Sequence, residues 1–349
     1  MNSKISNKKM SEAELFKKYK ATYCSAIYDF SIHSFIMYTS FYMIWYFRNS
    51  WVNLFTIPLL AFMLNRNFII FHDCCHNSYS PNKQLNYVIS HLTGILVLTS
   101  PNWFLDHNTH HMTNGNIDNK QHYFFNETIV LTKKQLLSKS FTQQILYRIY
   151  KNPFVFFTII PILYFGLAQR FIYIVKKYRH AKSFNEPLSF IILDHLVNNW
   201  FILIYLYILY KFEIFYHFIH GFIISSSLAF IIFHNQHSYN PSYVVENEKW
   251  RQRDSGLIGS SFIQIPYILK YFYMGIEYHH IHHMFSKIPG YNLQKYHEEV
   301  VKHSNSFDNI ITLNMNDCYN NLWLVLYDED NKRYITFAEL DKGLIYKNL

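Results

Sequence analysis

The chain has 349 residues, enough for two soluble domains, but half are hydrophobic and 19% aromatic while the mean hydropathy stays near zero, the balance of apolar spans diluted by a large polar cap. The formal charge of +9 sits beside apolar segments, which suits an anionic cytoplasmic leaflet rather than nucleic acid. Four cysteines, Cys24, Cys74, Cys75 and Cys318, show no C-x-x-C and no framework spacing, which argues against a disulfide scaffold.

In chain order, Met1 to Lys20 is polar and lysine-rich without an apolar core, so residues 1–30 read as an N-terminal arm rather than a cleaved signal peptide. Apolar stretches over 31–47 and 52–71 predict a helical hairpin turning at Arg48, each near the ~20 residues that cross a bilayer. His72-Asp73-Cys74-Cys75-His76 follows the second stretch, and His107-Asn108-Thr109-His110-His111 comes next. Further apolar stretches cover 153–174, 191–210 and 214–233, the last running into His234-Asn235-Gln236-His237, with His279-His280-Ile281-His282-His283 beyond. One integral domain over 31–340, with a tail at 341–349, is the natural division.

Residues three and four apart share a helix face, so each histidine cluster aims two or three imidazoles at one point. A lone pair of this kind is ordinarily a solvated face or a satisfied core pair. Four clusters, three of them just beyond apolar runs, point instead to joint metal binding. Imidazole without thiolate suits iron, zinc or copper, and eight or nine ligands suit two ions.

A shared site demands that all clusters lie on one side of the membrane. Three apolar stretches separate the second cluster from the third, so one of them must fail to cross. The segment 153–174, with Pro153, Pro161, Gly166, Gln169 and Arg170 and then Lys176, Lys177, Arg179 and Lys182, is expected to be interfacial. By the positive-inside rule the basic patch is cytosolic, and so are the N-terminal arm, the 112–151 loop and the C-terminus. The expected architecture is all-α: about four transmembrane helices (31–47, 52–71, 191–210 and 214–233) under a cytosolic helical cap, in the endoplasmic reticulum or a bacterial inner membrane.

The run Arg66 to Tyr79 around the first cluster, Trp103 ahead of the second, and Gly259-Ser260-Ser261, Tyr278 to His283 and Ile288-Pro289-Gly290-Tyr291-Asn292-Leu293 around the last resemble the membrane fatty acid desaturases with three histidine boxes. Leu326-Tyr327-Asp328-Glu329 and Phe337 are similar to that family's closing segment, and the Δ12/ω6 acyl-lipid group resembles the chain most. Two departures are Cys75, where the family usually has Gly, and Leu105, near which it usually has a basic residue.

The resemblance implies a nonhaem di-iron centre held by His72, His76, His107, His110, His111, His237, His279, His282 and His283. His237 is preferred to His234 because it stands in the family's Gln-His pair, whereas His280 and His91 have no matched ligand role. It further implies insertion of a cis double bond into an acyl chain (lipid-linked or acyl-CoA), with O2 as co-substrate and two electrons from ferredoxin or cytochrome b5. Neutral imidazoles suit that chemistry, since they add no negative charge to an electron-deficient metal.

Metal-bound histidines normally donate their other N–H to an acceptor, and Asp73, Asp106, Asp118, Asp254 and Glu277 are near enough in sequence to serve. Asp73, one residue from His72, is expected to serve another cluster. Arg66 lies ~9 Å deeper along its helix than His72, as a functional group or one that snorkels to the interface. Trp103 and Trp250 are candidates for an acyl channel or for interfacial anchors. Other readings are a Δ9-type desaturase, a lipid, alkane or sterol hydroxylase with the same metal core, and a metal transporter. The transporter is disfavoured because the spans are polar mainly at their cytosolic ends.

Overall fold

The computed structural model describes residues 10–118, 130–170 and 188–347, and the chain is mostly helical. Four long helices dominate: Tyr23–Tyr46, Asn53–Cys75, Leu188–Lys211 and Phe215–His237. The first starts eight residues ahead of the apolar stretch at 31, because Thr22 caps it by accepting from the Ser25 N–H. The turns of the two hairpins clasp each other, with Arg48 Nε donating to Glu213 Oε2 at 3.0 Å and His217 Nε2 to the Arg48 carbonyl at 3.0 Å. The second and fourth helices therefore run in the same direction and deliver His72 and His237 to one end of the bundle. They approach closely where the fourth helix has Gly221: a Cβ there would stand 3.3 Å from Leu60 Cδ2.

Away from these contacts the bundle is apolar outward, with Phe35, Leu54, Phe55, Trp200, Leu203 and Tyr216 all exposed, as lipid-facing positions require. Three helices are long and apolar enough to cross a membrane: Asn53–Cys75, Ile192–Lys211 and Phe215–His237. Two bent helix pairs would raise that number to five. The first long helix is not among the three; Ser25, Asp29, Ser31, His33 and Ser34 dilute it.

One bent pair contains an element that the apolar pattern does not announce, Lys83–Leu96, which packs on the second long helix and is followed at 101° by Pro101–Thr113. The bend closes on Gly94, whose carbonyl accepts from Val97 and Thr99 and where a Cβ would meet the Thr99 carbonyl at 2.5 Å. The chain is thereby folded back over the end of the second long helix, carrying His107, His110 and His111 with it.

The other pair joins Phe141–Tyr150 to Val155–Ala168 at 61°. Over 155–168 two π-helical turns flank Ile160–Leu163. Phe156, Phe157, Ile160, Tyr164 and Phe165 are buried in the core that includes Phe230 of the fourth long helix, while Phe154 and Leu167 face outward. The basic run Lys176, Lys177, Arg179 and Lys182 lies outside the described residues, as does part of the 112–151 loop.

The cap is helical apart from two minimal sheets absent from the sequence-based expectation. Phe262–Ile263 pairs in parallel with Thr312–Leu313, and Leu326–Asp328 pairs antiparallel with Arg333–Ile335. Helices Glu12–Lys18 and Gly290–His303 pack through Leu15, Leu293, Tyr296 and Val300, closing the cap over the histidine end.

Candidate metal centre

Each histidine reaches the site from a helix end. His72 is in the last turn of the second long helix and His76 caps it; His107, His110 and His111 share Phe104–Thr113; His237 ends the fourth long helix. His279, His282 and His283 lie on the short helix His279–Met284. The turn before that helix needs a glycine: Gly275 has φ +86°, and a Cβ there would meet the Gly290 carbonyl oxygen at 2.2 Å.

The nine histidines are buried and fall into two groups. One is His72, His76, His107, His111 and His282; the other is His110, His237, His279 and His283; within each, the candidate ligand atoms lie within 4.8 Å of one another. In the group of four the Nε2 atoms form a closed ring, with His110–His237 at 3.0 Å, His237–His279 at 2.9 Å, His279–His283 at 3.1 Å and His283–His110 at 3.2 Å. A neutral imidazole Nε2 carries either one hydrogen or one lone pair, so at most two of these four close contacts can be hydrogen bonds. A square with such edges has its centre about 2.1–2.2 Å from each corner (edge divided by √2), close to the usual metal–imidazole length of ~2.0–2.1 Å.

The group of five repeats the arrangement: Nε2 of His72 lies 2.9 Å from that of His107, His107 3.0 Å from His111, and His111 3.0 Å from His282. His76 Nε2 is buried without a hydrogen-bond partner among the described residues, while its ring stands 4.7–5.0 Å from those of His72, His107, His111 and His282. Burial, followed by the neighbouring imidazoles, holds His76, His279, His282 and His283 well below the usual imidazole range, so they stay neutral, the form that binds metal. The donor set and its convergence fit two metal ions.

His234 is not part of either group. Its Nε2 donates to the Asn321 carbonyl at 2.9 Å, whereas His237 donates Nδ1 to the Gly259 carbonyl at 3.1 Å and keeps Nε2 in the ring. His280 Nε2 faces His297 Nδ1 at 3.3 Å, and His91 pairs with Asp194 at 3.1 Å.

The acids require one correction. Asp73, expected to serve another cluster, instead has its Oδ1 3.1 Å from His72 Nδ1, and its Oδ2 accepts from the Gly290 N–H at 2.6 Å. Adjacent side chains diverge at Cβ, but an imidazole is long enough that its Nδ1 edge meets a carboxylate one residue on. Asp118 accepts instead from the Asn247 N–H at 2.9 Å. Asp254 heads the helix Gln252–Leu257, which packs on His279–Met284, and Asp106 is half-buried in the turn ahead of His107. Glu277 is buried, its carboxyl pushed up to about 7 by that burial, and its Oε2 has no hydrogen-bond partner among the described residues.

An apolar pocket opens onto both groups at once, with His72, His107 and His279 in its lining beside Phe68, Phe165 and Phe233. Trp103 belongs to its wall, buried and stacked on His107 at 4.4 Å, whereas Trp250 donates Nε1 to the Asn114 carbonyl at 2.8 Å and takes no part in the lining. Sequence reasoning missed Phe165 and Phe233 in this wall, because nothing in a run of apolar residues distinguishes a pocket face from a packed one, and it gave no pocket role to Asn65, Gln236 or Tyr273. Arg66 does not snorkel: its guanidinium is buried against Asp29 and the Tyr271 carbonyl.

The sequence profile of the fatty acid desaturases ("Fatty acid desaturase") matches residues 49–310. The chain belongs to the fatty acid desaturase family. A Bacillus subtilis "Fatty acid desaturase" is 31% identical over 289 residues, covering 81% of this chain and 76% of that protein. A "sn-1 acyl-lipid omega-3 desaturase (ferredoxin)" of Nostoc is 41% identical over 58 residues, 16% of each chain. A Helianthus annuus "sn-2 acyl-lipid omega-3 desaturase (ferredoxin), chloroplastic" is 38% identical over 55 residues, 16% of this chain and 12% of that protein. As a member of this family the protein is an oxidoreductase, an acyl desaturase, and its two buried histidine groups, compatible with metal ions, lie at the end of a bundle whose helices include three long and apolar enough to cross a membrane.

Proposed function

We propose that the enzyme holds two iron ions on His72, His76, His107, His111 and His282 and on His110, His237, His279 and His283, and uses O2 and two electrons to place a cis double bond at the Δ12/ω6 position of a lipid-linked acyl chain. One observation carries this reading: the apolar pocket is lined at the same time by His72 and His107 of one group and His279 of the other. An acyl chain in that pocket brings its methylenes against both groups, which is what removal of two hydrogens from adjacent carbons requires.

Bound iron supplies the oxidising power to break an unactivated C–H bond. The protein's residues do the rest. Phe68, Phe165, Phe230 and Phe233 hold the chain by apolar contact and exclude water. Trp103 fixes the His107 ring by stacking on it, and Asp73 fixes His72 through Nδ1. The Δ12/ω6 position rests on the sequence around the three boxes. The electron donor is a ferredoxin-type carrier, the donor named for the Nostoc and Helianthus relatives.

The proposed topology has the four long helices crossing the membrane, with the termini and the nine ligand histidines on the cytosolic side and the two clasped turns at Arg48 and Glu213 on the other. A second reading is an ω3 desaturase, favoured by the short matches to relatives of that name. Expression in a desaturase-deficient host, with gas chromatography and mass spectrometry of its fatty acids, separates the two. A Δ12/ω6 double bond supports the reading, an ω3 double bond replaces its regiochemistry, and a hydroxylated product overturns it. Metal analysis of active protein is expected to give about two irons per chain, and stoichiometric zinc without iron would exclude the assignment.

A further inference from the structure

Arg66 is buried inside the bundle, six residues ahead of His72, where an unpaired charge is costly. Its guanidinium makes two contacts with different parts of the fold. One N–H pairs with the Asp29 carboxylate of the first long helix and another donates to the Tyr271 carbonyl, while the guanidinium lies over the Tyr271 ring at 4.1 Å. Asp29 is itself held, since Tyr79 O–H donates to its Oδ2 at 2.8 Å. The neighbouring Asn65 donates Nδ2 to the next carbonyl, that of Phe272, at 3.3 Å. Two consecutive carbonyls of the segment 270–273 are therefore gripped by two consecutive residues of the second long helix.

The gripped segment leads into the pocket. Tyr273, the next residue, and Ile276 line it together with Asn65 and Ile69, with which they pack, and His279 comes three residues after Ile276. Arg66 itself is not part of the pocket lining or of either histidine group.

We propose that Arg66, paired with Asp29, is a positioning residue for the acyl chain: it fixes the Tyr273–Ile276 wall against the second long helix and so sets which methylenes stand at the histidines. This inference rests on the desaturase reading above. A planar guanidinium is needed, because only a fork can meet a carboxylate and a carbonyl while lying flat on a ring. An ammonium at the same place keeps the charge and the pair with Asp29 but loses the hold on Tyr271.

The test is Arg66→Lys in the full-length protein, expressed in a desaturase-deficient host and read by the double-bond position in the host's own fatty acids, with iron per chain measured on the purified protein. Iron content is expected to match the parent. Unsaturated product is expected to fall on the order of 10- to 100-fold, the cost of misplacement by about an ångström, and to spread over more than one double-bond position. A single position at parental yield would overturn the proposal and leave Arg66 a structural ion pair. Tyr271→Leu, which keeps the carbonyl and removes the ring, is the second variant and serves even where Arg66→Lys does not accumulate. It is expected to spread the product in the same direction with iron retained, and a parental pattern there also overturns the proposal. Failure of the desaturase reading itself would show separately, as no unsaturated product from the parent.

Discussion

The imidazole of His111 stacks on that of His283 at 4.1 Å between centroids and 20° between planes, although the two belong to different ligand groups. The two proposed metal positions therefore share a wall of aromatic rings. Phe104–Thr113 supplies both sides of it, since His107 and His111 point into one group and His110 into the other.

That sharing predicts unequal ligand losses. His111→Ala removes one donor and also the ring on which His283 rests, so iron is expected to fall below one per chain. His76→Ala removes a donor whose imidazole contacts are all with its own group and is expected to leave about one iron in place. Metal analysis of the two purified variants checks this, and equal iron in both would refute a shared wall.

Asp73→Asn is expected to weaken iron binding by roughly 10- to 100-fold, the usual cost of losing the partner of a metal-bound imidazole. Asn keeps the size and an oxygen, but it cannot carry the charge that holds His72 Nδ1 and the Gly290 N–H together. Competition with a chelator of known affinity measures the shift. Parental retention of iron would mean that Asp73 only ties the backbone at Gly290.

The histidine boxes were legible because ligand chemistry imposes its own period: His107, His110 and His111 repeat at His279, His282 and His283. How they divide into five and four was not legible, since His110 and His111 part company only when other helices arrive on either side. Asp29 had no signal at all. It stands in a stretch that reads as a polar arm, and only the packing of the first long helix against the second brings it to Arg66. The helix Lys83–Leu96 was missed because its apolar residues make a stripe rather than a run, and the strands of two or three residues are too short to show alternation.

Gly275→Ala is expected to destabilise the third box more than any nearby surface change. The positive φ alone costs about 1–3 kcal/mol for a residue with a Cβ, and that Cβ would stand 2.2 Å from the Gly290 carbonyl oxygen. Relief requires the turn to move, which carries His279 with it. Thermal unfolding in detergent and iron content should both fall, whereas Gly343→Ala, where the added Cβ meets nothing within 4 Å, should leave both near parental values.

Labelling of single cysteines from outside intact cells or vesicles tests the topology. The proposed arrangement expects a cysteine replacing Ser50 or Glu213, in the clasped turns, to be reached from the extracytosolic side. A cysteine replacing Lys332, in the hairpin between Leu326–Asp328 and Arg333–Ile335, should react only from the cytosol. Labelling of both from one side would break the four-span arrangement.

The final prediction separates His237 from His234. On a helix the two lie ~300° apart and so share a face, yet the fold gives them different partners. His237 completes the ring of four Nε2 atoms, while His234 is turned to the Asn321 carbonyl and stands beside Phe157. His237→Ala is expected to abolish desaturation and to lower iron to about one per chain. His234→Ala loses one hydrogen bond, worth ~1 kcal/mol, and is expected to keep a measurable fraction of activity with parental iron. The reverse outcome would move the ninth ligand to His234 and require the fourth long helix to rotate. Full activity in both variants would leave His110, His279 and His283 as a three-histidine site, with the fourth position open to solvent or substrate.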